Sequence, residues 1–531
     1  MSNLGFQAMY RLFNDLDYVV CERAFLPSSE DMAEFERTNT PLFSLESQRP
    51  LAGFDIIAFS ISFEEDYLNI LKIFDLAGIP FLSSERDTAK PLIMAGGVAA
   101  SLNPEPIVDF FDLFAIGEGE EFVPEFSDAF RAARYKAKED LLQAMVQVEG
   151  VYIPDFYHIA YQGNFIERIQ AIKGAPQKVK SRKAKNLNAS PVPASNILTN
   201  ETNFRNTYLL EVERGCGRGC RFCAAGFIYL PPRERDFTIL RDEVLKSMEF
   251  TGKVGFVGAA VSEYQDLKLL SKAVIENGGE LTLSSLRLDV MDREMLGLLR
   301  QGGYKTITIA PEAGSERLRD VINKRISEQD IVESIALISE AGIQKLKLYF
   351  MIGFPTETLG DIEAVVSLVL KIKMVTQGGL ITLSINPFIP KPSTPFQWCA
   401  YEDVKSLRNK MEIMQQRLKN EKGIKLSFLS PREGYIQTLL SVGDRRVGKI
   451  LVGAYKRGWK DALKDAGPEI NFRVKDFSEI LPWDFIDTGL KKEYLWKEYQ
   501  RALKGQTTPP CRGPRAELWS GRCTRCGVCI A

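Results

Sequence analysis

Between Thr207 and Pro232 the chain reads TYLLEVERGCGRGCRFCAAGFIYLPP, with Cys216, Cys220 and Cys223 at Cys-x3-Cys-x2-Cys spacing. Thiolates are soft ligands that select zinc, copper(I) or iron–sulfur clusters. Three of them so close in sequence converge on one face only where the backbone turns tightly. Gly215, Gly217 and Gly219 supply that freedom, because glycine reaches positive φ without steric cost. A structural zinc wants a fourth ligand, usually nearby in sequence. The sole histidine, His158, is well upstream, and the nearest other cysteine, Cys399, is well downstream. Three thiolates suit a four-iron cluster whose last iron stays open for a substrate-like ligand.

A second group closes the chain. Cys523, Cys526 and Cys529 stand at Cys-x2-Cys-x2-Cys, with Cys511 twelve residues upstream as a fourth ligand. Such two-residue spacings serve ferredoxin-type clusters, and a four-thiolate zinc site is open to the same set. An auxiliary [4Fe–4S] cluster is the favoured reading, since the chain already needs iron–sulfur loading and an electron path. Seven of the nine cysteines fall in these two groups, which reads as metal ligation in a reducing, cytoplasmic compartment and not as disulfides. Cys21 and Cys399 have no partner pattern and are expected to be buried. His158 lies outside every motif, so imidazole acid–base catalysis is not the main device.

The elements around these residues are strands alternating with helices, an α/β class. In residues 1–135, FDIIAFSIS, PLIMAGG and DLFAIGEGE read as strands, and YLNILKIFDLAG and FVPEFSDAFRAA as helices. Continuous apolar runs imply a parallel, doubly wound sheet. Its ligands would bind at the carboxyl ends of the strands, beside Ser60, Ser62, Gly96, Gly97, Gly117 and Gly119, although turn formation alone explains the glycines. Residues 136–200 form a connector, with a hairpin closed near Gln162-Gly163 and the basic stretch KGAPQKVKSRKAKNLNASPVPAS. That stretch reads first as a solvated linker and only weakly as a contact to RNA phosphates.

From 201 to 400 the pattern fits a partial (β/α)6 barrel. After the cysteine loop, VGFVGAA, LTLSSLRLD, TITIAPEAG, KLKLYFMIGFP and LITLSINPFIP follow as strands. Barrels place chemistry at strand carboxyl ends, which selects Ser262, Glu263, Ser285, Arg287, Glu312 and Ser315. Residues 401–480 read as a helical subdomain carrying Arg445, Arg446, Lys456 and Arg457, and 481–531 as the cysteine-rich tail. Formal charge is −1, giving no bulk case for a nucleic-acid binder. No apolar run approaches the roughly 18 residues of a membrane span.

The three-cysteine loop resembles the radical S-adenosylmethionine (SAM) superfamily, in which such cysteines hold a [4Fe–4S] cluster. The resemblance implies that SAM chelates the open iron and that Phe222 is the usual aromatic before the last cysteine. It further implies that Ser262 and Glu263, Ser285 and Arg287, and Glu312 and Ser315 line the SAM site. Arg287 would face the SAM carboxylate, where a guanidinium fits better than an ammonium, and Glu312 and Ser315 the ribose. GAAVSEY at 258–264 departs from the family's Gly-Gly-Glu. Residues 95–121 resemble the cobalamin-binding-like domain preceding many such barrels, which makes Ser60, Ser62, Gly96, Gly97, Gly117 and Gly119 cobalamin candidates. That domain is expected to lack its first strand, with Met1 an internal start, and the chain has no histidine to hold cobalt from below. PFIPKPSTPFQW at 387–398 is similar to a segment of radical SAM methylthiotransferases, with Lys391 and Gln397 as candidate substrate contacts, although its four prolines equally read as a rigid exit turn.

The expected function is therefore reductive cleavage of SAM to a 5′-deoxyadenosyl radical, fed by a ferredoxin or flavodoxin. Cobalamin-assisted methyl transfer to an unactivated carbon is the first reading of its outcome. The alternatives are cobalamin-independent, methylthiotransferase-like modification of tRNA or protein, and a non-catalytic iron–sulfur electron carrier.

Overall fold

Short apolar runs bounded by glycine become the parallel strands of two α/β units. The computed structural model describes residues 3–86, 91–283, 286–376, 378–465, 473–511 and 523–529. One unit takes Ala8–Lys185 with Gln437–Gly489, and the other Met1–Gln7, Asn186–Ile436 and Leu490–Ala531. Both are discontinuous in sequence, unlike the five contiguous domains expected.

In the unit that holds most of the N-terminal half, β1 (Ile56–Ser60), β2 (Leu92–Gly96) and β3 (Leu113–Ala115) are parallel, and β4 (Val151–Tyr152) joins β3 antiparallel. Helix Tyr67–Leu76 buries Tyr67, Ile70, Leu71 and Phe74, a helical spacing that covers the sheet's apolar side chains. The expected hairpin is present as β5 (Tyr157–Gln162) and β6 (Phe165–Ala171), and His158 is an exposed residue on it. β7 (Val179–Lys180) pairs in parallel with Ile486–Asp487. Residues 437–489 belong to this unit instead of to a separate helical subdomain: helix Val447–Arg457 packs on helix Tyr67–Leu76. Arg445 Nε stands 2.9 Å from Oε2 of the buried Glu105, whose Oε1 accepts from the Tyr152 hydroxyl at 2.5 Å. The basic positions offered as anion contacts are largely spoken for. Arg445 pairs with Glu105, Arg446 with Asp444, Lys180 with Glu149, and Arg182 with Glu121 and Glu125.

The other unit carries β8 (Tyr208–Glu211), a short ribbon of β9 (Glu213–Arg214) and β10 (Arg233–Glu234), then β11 (Lys253–Val257) and β12 (Glu280–Leu283). β13 (Thr306–Glu312), β14 (Lys345–Ile352), β15 (Leu380–Pro387) and β16 (Ile424–Phe428) follow. They form two parallel sheets, β12-β11-β8 and β13-β14-β15-β16. β16 adds a strand beyond the six expected, inside a span read as helical. Its signal was present: Ile424, Leu426 and Phe428 alternate with the exposed Lys425 and Ser427.

Along β14, Leu346, Leu348, Phe350 and Ile352 are buried while Lys347, Tyr349 and Met351 are only partly covered, and β15 repeats the pattern. Right-handed crossovers keep the helices on one face of such sheets. The opposite face is therefore the half-open one, and the register sets Lys347, Thr382 and Lys425 in one row and Tyr349, Ser384 and Ser427 in the next. Helices Glu328–Glu340 and Leu359–Val375 each begin with a capping box, Ser327 with Asp330 and Thr358 with Asp361.

The proline-rich exit from β15 is a packing element. Pro395–Trp398 is a buried single turn against helix Lys492–Leu503, where the Trp398 and Trp496 rings meet edge to face at 5.1 Å. Gln397 is 2% exposed and accepts from the Ser393 N–H at 3.0 Å, which makes it part of this turn's own packing.

Candidate active site

β8 delivers the chain through Glu213 and Arg214 into the cysteine loop. Gly215 has φ 90°, and a Cβ there would stand 2.4 Å from the Tyr229 carbonyl oxygen, so only glycine makes this entry. Gly219 also has positive φ, at 71°. Gly217 does not need a left-handed backbone, a correction to the common role expected for the three glycines. It is confined instead by a close approach of Cys511, whose carbonyl oxygen would meet a Cβ at 2.7 Å.

The three thiols form one electrostatic group. Burial and then the neighbouring Cys220 push the Cys216 thiol well above its usual range, and Cys223 is raised by the same two causes in the same order. Buried thiols resist ionising alone, so the set calls for a cationic centre to stabilise three thiolates. Cations already stand by: Lys324 acts on Cys223, and the charge of Cys220 helps hold Arg287 protonated. This donor set fits a cluster with three thiolate ligands and one open iron. Among the described residues no three His, Cys, Asp or Glu side chains are gathered as a single-ion site.

The strand-end residues named from the sequence gather around this loop in part. Glu263, after β11, has a side chain only 6% exposed and is paired at 2.5 Å with Arg218 of the loop and at 3.1 Å with Arg287. Arg287 also meets Asp289 at 3.0 Å, and its backbone N–H donates to the Ser262 hydroxyl at 3.2 Å. Glu312 occupies a bulge at the end of β13 with φ 69° and pairs with Lys324 at 3.2 Å. Burial raises its pKa, and Lys324 opposes the rise. Ser315 caps the helix Glu316–Val321 by accepting from the Leu318 N–H and donates to Asp361, a positioning use of a residue expected at the ribose. Phe222 packs on Phe354 at 5.8 Å between centroids. Ser285 lies outside the described residues.

Four side chains that the motif did not reveal complete the site. Arg218 couples the loop to Glu263 and to Asp289, the latter at 3.0 Å. Fully buried Arg221 sits between Cys220 and Phe222 and donates to the Val321 carbonyl at 2.9 Å and to Glu498 at 3.1 Å. Asn323 donates to the Gly219 carbonyl at 3.1 Å. Glu213 is 5% exposed and accepts from the Ala260 N–H at 2.5 Å; burial pushes its pKa up to about 8, against that hydrogen bond, with Glu263, Glu234 and Glu211 adding to the rise. Arginines inside a cysteine loop carry no periodic signal, and Glu213 reads simply as a polar residue after a strand.

The cobalamin candidates fare differently. Gly97 has φ 98°, and a Cβ there would stand 2.5 Å from the Ile61 carbonyl oxygen. At Gly117 the obstacle is the Arg182 carbonyl oxygen at 2.2 Å, and at Gly119 the Met9 sulfur at 2.4 Å. At these three glycines the chain approaches itself closely, as the turn-former reading has it. Ser60 and Gly96 pair across β1 and β2, with Ser60 exposed, and Ser62 is partly covered. His158 is on the β5–β6 hairpin, so no imidazole axial ligand comes from this sheet.

Two families match the chain: "Radical SAM proteins, N-terminal" over residues 5–154 and "Radical SAM superfamily" over 210–369. An uncharacterized protein of Methanocaldococcus jannaschii is 32% identical over 79% of this chain and 85% of its own. A tRNA-2-methylthio-N(6)-dimethylallyladenosine synthase of Chloroherpeton thalassium is 26% identical over 40% of this chain and 49% of its own. Among solved structures, the cobalamin-dependent SAM radical enzyme OxsB with aqua-cobalamin and SAM bound is similar in fold. Its TM-score is 0.50 at 14% identity, covering 94% of this chain and 76% of that one.

Proposed function

Because the chain belongs to the radical SAM superfamily, we propose that Cys216, Cys220 and Cys223 hold the cluster at which it cleaves SAM. When bound, a [4Fe–4S] cluster with an open iron supplies the electron that breaks the sulfonium carbon–sulfur bond of SAM. The protein's share is binding, orientation and exclusion of water. Arg287 offers the fork that a carboxylate fills, and with Glu263 and Asp289 already paired to it, the SAM carboxylate takes up its guanidinium by exchange. Glu263, freed from Arg287 but still held by Arg218, is the acceptor for the SAM ammonium, in place of the family's Gly-Gly-Glu acid. Ser262 fixes the Arg287 backbone, and the pair Glu312–Lys324 braces the Cys223 side. The half-open row of Lys347, Thr382, Tyr349 and Ser384 is the face left for substrate. The observation that carries this reading is the meeting of three part-covered thiols on one glycine-bounded loop with Arg287 and Lys324 beside them.

For the outcome of the radical chemistry, the reading retained is methyl transfer to an unactivated carbon, assisted by cobalamin in the N-terminal α/β unit. Support comes from the parallel sheet itself and from likeness in fold to a cobalamin-dependent enzyme. Residues at the carboxyl ends of this sheet's strands, Ser60 and Ser62 among them, would hold cobalamin, and no step is derived through it. The test is anaerobic purification from cobalamin-supplemented cells followed by cobalt analysis. Cobalt near one per chain supports the methyl-transfer reading. Absence of cobalt removes it and leaves methylthiolation, which mass spectrometry of tRNA and ribosomal protein would register as an added methylthio group.

A further inference from the structure

The parallel register of the four-stranded sheet sets Thr308, Lys347, Thr382 and Lys425 side by side in one row. Residues in register on parallel strands project from the same face, and neighbouring strands stand about 4.8 Å apart. The two lysines are thus about 10 Å apart at the backbone, with Thr382 between them. This is the half-open face: Lys347 and Thr382 are partly covered and Lys425 is exposed. Among the described residues neither lysine has a carboxylate partner, whereas Lys324, Lys373 and Lys410 of the same unit all do. A lysine on an edge strand, such as Lys425, serves on its own to discourage strand pairing. Lys347 stands on an inner strand, where that use does not arise, and a part-covered ammonium without a counterion calls for one. Its direction is set by Tyr349, two residues on: the ammonium lies 4.9 Å from the centre of that ring. The charge is thereby carried toward the carboxyl end of β14, to a level about 10 Å short of Ile352. Tyr349 and Ser384, in register on the next row, add hydroxyl donors at that level.

The geometry points to Lys347 and Lys425, with the Thr382 hydroxyl between them, as the site for an oxyanion of the substrate, a phosphate or a carboxylate. Two ammonium groups approaching from β14 and β16 neutralise such a group, and the hydroxyls of Thr382 and Ser384 complete its hydrogen bonds. An ammonium is a point charge on a flexible stem, so the pair selects charge and not planar shape. The substrate is then an anion, seated with its charged end on the lysine row and its reacting carbon toward the strand ends. Only the placing of that carbon rests on the SAM-cleavage reading above; the anion site stands without it. A neutral molecule of the same size leaves Lys347 uncompensated and is selected against.

The test is amine footprinting of the full-length protein, reconstituted anaerobically with iron and sulfide. Reductive methylation is timed with rising inorganic phosphate or rising acetate, at ionic strength matched with sodium chloride. Each lysine is read by peptide mass spectrometry, and Lys405, exposed on helix Val404–Leu418, reports any general effect of salt. Lys347 and Lys425 should be protected together, saturably and with one midpoint, while Lys405 is not. Protection by phosphate alone assigns a phosphorylated substrate, by acetate alone a carboxylate, and by both a site that takes either. In K425M, and for Lys425 in K347M, the surviving lysine should need about tenfold more anion, the worth of one hydrogen bond to a charged group. K425R should keep the wild-type midpoint, which separates loss of charge from loss of packing. No saturable protection of Lys347, or an unchanged midpoint in K425M, overturns the site. Failure of wild type to form 5′-deoxyadenosine would sink the function proposed above, while the footprint would still decide whether the anion site exists.

Discussion

Glu213 shows how local burial sets chemistry that its residue type does not announce. The folded chain holds its proton to about pH 8, against an ordinary value of 4.5 when unfolded. Between those values the native state binds more protons than the unfolded one, so this group lowers stability as pH rises through that window. Glu213→Gln should flatten the decline, which is on the order of a few kcal/mol. Urea midpoints near pH 5 and pH 8 would show it as a smaller difference in the variant. Arg221 and Glu498 make the complementary case, because removing one member of a buried ion pair strands the other. Arg221→Met should cost about 3–5 kcal/mol, and Arg221→Met with Glu498→Leu should recover most of it, as read by denaturant melts. At this scale the three cysteines were legible because their spacing is itself the ligand geometry. Arg218, Arg221 and Asn323 were not, since each acts on a partner far away in sequence, such as Glu263 or Glu498.

Among the elements, the strand–helix alternation was legible wherever apolar runs were continuous or strictly periodic. Helix Phe122–Ala133 falls on the span expected for it. β16 escaped notice because it is short and half-exposed, so its period-two pattern is carried by three apolar residues. The Pro395–Trp398 turn was legible only as two readings. Its polar and proline-rich residues suit a substrate loop or a rigid exit turn, and helix Lys492–Leu503 covers them as it would the turn. Trp398 is fully buried there against Trp496 and Tyr499. Trp398→Ala should therefore destabilise by about 3–5 kcal/mol, measured by thermal or urea unfolding, whereas a substrate-loop role would predict little change in stability. Because this helix also carries Tyr494 and Glu498, the same variant should loosen the tail's hold on the cysteine loop.

For the whole molecule, the sequence order conceals that both units are built from separated segments. Composition and periodicity could not assign residues 437–489 to the N-terminal sheet, because the evidence is a tertiary ion pair, Arg445 with Glu105. The cysteine loop and the order of the strands β8 and β11 to β15 were legible, since these strands follow one another in the chain. The central claim concerns the loop and is tested most directly by one assay. Anaerobically reconstituted protein is reduced with dithionite in the presence of SAM, and 5′-deoxyadenosine is quantified beside the Cys220→Ala variant. Cleavage by wild type that falls by about two orders of magnitude in the variant is the predicted result. Equal, background-level product from both would contradict it.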